Sequence, residues 1–320
     1  NPKPRLGPGT MPGTRVDGTA RYLEGKGSPV IQIGQRASAE EAGRGVEFVA
    51  NQGITAFKAY MNSTSAELKA ASEEAHRHEL KITGHLCSVT YPEAVAAGID
   101  NLEHGFFANT QLDPGKAADT CTKDKGIATL AAMDPDGLAA RALIALLVAH
   151  HVALTSTLPV FEIYSPNYRT LPPEQLALMS PEARIDYFSV QARNLSRKPE
   201  RVAYQAKLWS HELQMERAFV AAGGLLVAGP DPTGGGQVLP GFGDQREIEL
   251  LVEAGFTPVE AIIQAGRRRQ VEREHGRCAH SYRERQPVIR STDPHHLTGA
   301  RQRCERNDGL AHRPHPEYRH

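Results

Sequence analysis

Several features are missing from this chain, and each absence narrows what it can be. Its four cysteines, Cys87, Cys121, Cys278 and Cys304, include no Cys-x-x-Cys pair, which excludes a zinc knuckle and a thioredoxin-type redox motif but leaves the compartment undecided. No apolar run approaches the roughly 20 residues that a membrane-spanning helix needs. Net charge is missing too, at +0 formally, so electrostatics gives no general argument for nucleic acid or an anionic membrane as partner. The N-terminus, NPKPRLGPGT, has neither a Met nor a signal peptide. It reads as starting inside a longer protein, so the missing signal leaves localisation unknown. Beyond Gly266 the sequence lacks any sustained period of 2 or 3.6, while holding 13 arginines and 7 of the chain's 14 histidines. This stretch is either a basic tail or, the reading favoured here, coding sequence translated out of frame. It is expected to be irregular and disordered, and its histidines carry no functional weight.

What is present is a repeat. ITAFKAYMN (54–62), KITGHLCS (81–88) and IDNLEHGFF (99–107) are short β-branched or apolar runs, each with one chemically capable side chain near its C-terminal end: Lys58, His85 and His104. A helical stretch, TSAELKAASEEAHRHEL, separates the first two runs, and a shorter one, PEAVAAG, the second two. Alternating strands and helices form a parallel α/β sheet, whose functional groups gather at the carboxyl ends of the strands. A strand is also expected at 28–34, with a short one before it at TARYL, a strongly apolar helix near 137–151 feeding a strand at 152–160, and a strand LLVAG delivering the Gly-rich loop headed by Asp231. Residues 108–136 read as an irregular loop. Five or six strands are expected from residue 28 onward. Three segments follow: an irregular 1–27, an α/β body over 28–266 and the tail 267–320.

Helix ends account for several other candidates. Thr64 and Glu67 form a capping-box pattern, Pro92 suits a first helical turn, and His76, His78, His150 and His151 sit where cations complement the helix dipole. These histidines are assigned to capping rather than to ligation.

The spacings of Lys58, His85, His104 and Asp231 are 27, 19 and 127 residues. They fit three successive βα units and then the next but one, enlarged by an insertion, in a barrel of roughly 30 residues per unit. Lysine, histidine, histidine and aspartate at strand ends, in FKAYM, TGHL, LEHG and AGPDPTG, resemble the amidohydrolase superfamily of metal-dependent hydrolases, in particular its imidazolonepropionase- and prolidase-like branch, over about residues 20–266. The resemblance implies a partial TIM (β/α)8 barrel and a divalent metal cofactor, zinc by preference. It makes Lys58, once carboxylated, the bridge between two ions, His85 and His104 ligands of one ion, and Asp231 a ligand of the other and the catalytic proton acceptor. Metal-activated water would then attack an amide or cyclic amide C–N bond in a dipeptide-like or N-acyl amino acid substrate. Tyr60, Phe106 and Phe107 are candidate substrate contacts. The expected partner is a small-molecule substrate, with no nucleic acid and no membrane, and a homo-oligomer is left open.

The sequence also departs from that family. The first histidine is His76, so no His-x-His pair precedes Lys58, and the family's first strands and accessory β-sandwich have no counterpart. Pro230 stands before the aspartate, where it fixes the backbone and removes a donor. The chain therefore reads as an internal fragment with half of a two-metal site and impaired activity, holding one ion or none. Two alternatives are a Schiff-base aldolase or lyase using Lys58, and a non-catalytic decayed barrel with open sheet edges.

Overall fold

The structure, a computed structural model, describes residues 19–20, 22–27, 34–35, 38–50, 54, 56–166, 168, 170–232 and 238–266. The tail from 267 on, most of the strand expected at 28–34 and the centre of the Gly-rich loop lie outside the described residues.

Seven strands make one sheet: β1 (Leu23–Glu24), β2 (Gly34–Gln35), β3 (Ala56–Ala59), β4 (Lys81–Gly84), β5 (Asn101–Glu103), β6 (Ala153–Ser156) and β7 (Leu226–Ala228). Every pairing is parallel, and the spatial order is β2-β1-β3-β4-β5-β6-β7. Six strands start after residue 28, as read from the sequence. β1 overlaps the short strand expected at TARYL, within the otherwise irregular 1–27, and lies between β2 and β3, with Thr19 bridged to Ala56. Among the described residues no pairing joins β7 to β2, so the sheet is an open arc of a barrel, α/β throughout.

Helices join the strands: α1 (Ala39–Ala50) before β3, α2 (Ser65–Arg77) before β4, α3 (Tyr91–Ala96) before β5, and α4 (Ile127–Ala132) with α5 (Leu138–Ala149) before β6. Four more lie between β6 and β7: α6 (Leu158–Phe161), α7 (Pro173–Leu176), α8 (Pro181–Leu195) and the long α9 (Pro199–Ala221). α10 (Phe242–Glu253) and α11 (Pro258–Gly266) follow β7. Thr64 and Glu67 close the expected capping box on α2, and Thr90 with Glu93 closes a second on α3. His78 caps the end of α2 and pairs with Glu74, while His76 reaches Asp100 at 2.9 Å.

Two expectations need correction. The loop at 108–136 contains α4, and Asp113 orders the stretch before it by accepting from the Gly126 and Thr129 amides at 2.8 Å each. The strand expected to run to residue 160 ends at Ser156, because Leu158-Pro159 opens a helical turn, where proline's fixed φ is tolerated.

Residues along the strands alternate. Phe57, Ile82, Leu102 and Leu154 are fully buried on the helix-covered face, against Leu68, Ala71, Leu143 and Leu147 among others. The other face is polar. Thr83 donates to Glu103 at 2.6 Å, Asn101 donates to Thr83 and Thr155 at 2.7 and 2.8 Å, and Lys58 stands 4.0 Å from Glu103. The period of two thus sends apolar side chains to the helices and polar ones into the arc.

Candidate active site

Lys58 lies in β3, His85 follows β4, His104 follows β5, and Asp231 stands three residues past β7. Parallel pairing puts these strand ends on one edge, and the structure brings the side chains together there. The His85 and His104 rings meet edge to face at 4.4 Å between centroids, and His104 Nδ1 is 3.7 Å from Asp231 Oδ2. His104 Nδ1 also shares a 2.8 Å hydrogen bond with Thr157 Oγ1, which fixes the ring and leaves Nε2 as the open nitrogen. Lys58 Nζ lies 5.2 Å from the centroid of Tyr22 and 4.0 Å from Glu103 Oε2.

Burial sets the protonation of the imidazoles. His104 is pulled down to about 3 by desolvation and then by the Lys58 charge. His85 falls well below its ordinary value through desolvation, then through His104 and Lys58, with Asp231 acting the other way. Both rings are therefore neutral donors at physiological pH. The backbone is unusual at two of these positions: His104 has φ 69° and Asp231 φ 41°. Left-handed conformations in non-glycine residues concentrate at functional sites, where the surrounding structure holds them in place.

Tyr60 joins the group, 5.1 Å from the His85 ring and 5.3 Å from Tyr22. Desolvation, then Tyr22, Glu24 and Asp231, push its phenol upward, so it stays protonated as a hydrogen-bond donor. Phe107 stacks on Phe161 at 4.1 Å, and Phe161 in turn lies 5.6 Å from His104. Phe106 points the other way, into the core between Tyr91 and Phe219.

Beneath His104 lies a group that the sequence did not disclose. Glu212 and Glu216 on α9 and Glu247 on α10 are all buried. Glu212 Oε1 accepts from the Phe106 amide at 2.9 Å and Ser156 donates to Glu216 at 2.9 Å. Desolvation raises all three carboxyls, with Glu212 pushed up to about 8. Gly105, with φ 55°, is the residue this group demands: a Cβ there would stand 1.9 Å from Glu212 Oε1 and 2.6 Å from Glu216 Oε1. Its carbonyl accepts from Tyr91 Oη at 2.6 Å. The glycine of LEHG is thus explained by close approach. Glu103 closes β5 and Thr157 directly follows β6, where each reads as an ordinary polar residue, and on α9 and α10 the three glutamates read as solvated surface.

A disulfide joins Cys87, two residues past His85, to Cys121 in the 108–126 stretch, closing 34 residues of sequence separation. It ties that loop to the strand end carrying His85.

Two neutral imidazoles and a carboxylate match a divalent ion such as zinc in donor type. Among the described residues, however, no group of three or more His, Cys, Asp and Glu is arranged to hold a metal ion. Asp231 faces Nδ1 of His104 rather than the open Nε2. The match is one of donor chemistry, and a closed cage needs Asp231 to swing toward Nε2. Ligands for a second ion are not found in this group.

The parallel strands and their helices define an open, partial α/β barrel. Among solved structures, the chain is similar to bottromycin amidohydrolase, with a TM-score of 0.59 and 20% identity over 80% of this chain and 55% of that one. It also matches A. niger ochratoxinase at a TM-score of 0.44 and 18% identity, over 77% and 46% of the two chains. The likeness is one of fold, and the chain spans about half the length of these structures. No protein-family model and no curated protein sequence matches it.

Proposed function

We propose that the chain is a metal-dependent hydrolase of amide C–N bonds, acting on a dipeptide-like or N-acyl amino acid substrate. The observation that carries this reading is the convergence of His85, His104 and Asp231 from three strand ends, with both imidazoles held neutral by burial. These three would hold one divalent ion, zinc by preference. When bound, the ion supplies acidity to its water, lowering the pKa toward neutrality, and polarises a carbonyl. Asp231 accepts the proton of the attacking water and returns it to the leaving amine. Thr157 keeps the His104 ring in register. The Tyr60 hydroxyl, kept protonated, donates to the substrate carbonyl oxygen as charge builds on it.

Lys58 requires a separate argument. Carboxylation turns the Lys58 amine into an anion, and the Glu103 carboxylate 4.0 Å away would repel that new charge. Lys58 would thus be a ligand only where carbon dioxide uptake overcomes that repulsion, and the proposed chemistry uses a single ion.

The test is release of free amine from N-acetyl amino acids and dipeptides by zinc-loaded protein, followed with an amine-reactive dye. Turnover that stops with chelator and returns with zinc is expected. Turnover unaffected by chelator, accompanied by borohydride trapping of substrate on Lys58, would replace this reading with Schiff-base chemistry.

A further inference from the structure

A cavity of about 280 Å3 lies between the segment that follows β6 and the one that follows β7. Its apolar wall is formed by Pro159, Leu171, Pro172, Val238, Leu239 and Phe242. Both walls connect to the reacting groups. Pro159 belongs to α6, whose Phe161 ring lies 5.6 Å from His104, and the residue capping that helix, Thr157, bonds His104 Nδ1. On the opposite side Gly243 packs so tightly that an added Cβ would stand 2.8 Å from Pro230, the residue before Asp231, and 2.5 Å from Val238.

Charge in the cavity is one-sided. Arg246 gives Nε and Nη2 to Glu162 at 3.1 and 2.7 Å, and Nη1 to Glu249 and Glu253 at 2.8 and 3.0 Å. Glu162 and Arg246 are largely buried, and three carboxylates surround one guanidinium. An incoming acid would face that excess negative charge and would have to displace Glu162 from a two-pronged pairing. An apolar group displaces no ion pair and packs against the six apolar residues, with Thr170, Gln175 and Gln245 forming the uncharged polar part of the lining. The volume falls just below the 300–1,000 Å3 or so of whole-ligand pockets, which suits one bulky side chain.

We propose that this cavity is a side-chain subsite, receiving an aliphatic or aromatic side chain of the amide substrate and refusing an acidic one. The subsite rests on the amide-hydrolase reading for its purpose but not for its detection, because binding can be measured without turnover. The experiment is ligand-observed NMR titration of the full chain with N-acetylphenylalanine, N-acetylglycine and N-acetylglutamate, on wild type and on Leu171→Trp and Gln175→Trp, each of which fills the cavity from a different side. Thermal unfolding of each variant checks that it folds. Wild type should bind the phenylalanine probe about 10-fold or more tighter than the glycine probe and the glutamate probe no better than glycine. Either folded filled variant should bring phenylalanine down to the glycine level. Equal affinity for the three probes in wild type, tighter binding of glutamate, or a phenylalanine preference that survives both filled variants overturns the subsite. Preference without hydrolysis under any metal would leave the subsite standing and remove the hydrolase. Hydrolysis with no preference for phenylalanine would do the reverse.

Discussion

Replacing Gly105 with alanine is the sharpest probe of how the His104 strand end is built. Two separate effects act there. The residue sits at φ 55°, where a side chain costs about 1–2 kcal/mol. The new methyl would stand 1.9 Å from Glu212 Oε1 and 2.6 Å from Glu216 Oε1, and overpacking of this kind in a closed interior adds about 1–3 kcal/mol. The sum is about 2–5 kcal/mol, which in a domain of this size lowers the unfolding midpoint by roughly 5–15 °C. Thermal unfolding followed by circular dichroism gives the shift directly. The mechanism is tested by a double-mutant cycle with Glu212→Ala. That change removes the clashing carboxylate and also the acceptor of the Phe106 amide, so it destabilises on its own. Because the nearer of the two clashes is then gone and only Glu216 Oε1 at 2.6 Å remains, the double variant should be more stable than the two single losses added together, by about 1 kcal/mol or more. A Gly105→Ala protein within about 0.5 kcal/mol of wild type, or strictly additive losses, would refute the packing argument.

Other outcomes follow from the same structure. Burial lifts Glu212 from 4.5 to about 8, so the folded chain binds a proton that the unfolded chain releases. The stabilisation contributed by this one carboxyl is fullest below about pH 4.5 and is lost as pH rises toward 8, by at most about 1.4 kcal/mol per pH unit, while the buried His85 and His104 act the other way below about pH 6.5. Unfolding midpoints measured between about pH 6.5 and 8, above the ordinary histidine range, should fall with rising pH, and Glu212→Gln should flatten that slope. The Cys87–Cys121 disulfide closes a span of 34 residues, worth about 4 kcal/mol in the chain-entropy description. The double serine variant should lose stability of that order in chemical denaturation, and unchanged stability would show that the thiols are not paired in solution. If Asp231 accepts the proton from water, Asp231→Asn should reduce kcat by about 100-fold or more while leaving KM nearly unchanged. A large rise in KM with normal kcat would instead make Asp231 a substrate contact.

Much of this fold was legible because its signals are local. Strand-end side chains in ITAFKAYMN, KITGHLCS and IDNLEHGFF, separated by capped helices, predict a parallel sheet with one functional edge, and β3, β4 and β5 form it. Side-chain geometry was less accessible. A capping pattern at Thr64 and Glu67 is written in four consecutive residues, whereas Glu212, Glu216 and Glu247 acquire their meaning only when α9 and α10 bury them against the turn after β5. On a helix of mixed polarity a glutamate looks like surface, and nothing nearby in sequence shows otherwise. The Cys87–Cys121 pairing is hidden for the same reason, since 34 residues of separation make no motif. β1 marks the limit of such local signals: TARYL suggests a short strand, but its place between β2 and β3 is not written in a periodicity of two residues. The resemblance to metal-dependent hydrolases supplied candidate ligands, but only the coordinates place Asp231 on the Nδ1 side of His104 and Glu103 beside Lys58.

The most direct measurement is zinc titration of metal-free protein by calorimetry, with the bound ion counted by elemental analysis. Wild type should bind one zinc per chain. His85→Ala, His104→Ala and Asp231→Asn should each weaken that binding at least 10-fold, while His76→Ala, which alters the end of α2 and its contact with Asp100, should bind as wild type does. Zinc bound no more tightly by wild type than by His104→Ala would contradict a metal centre at these strand ends, and with it the hydrolase.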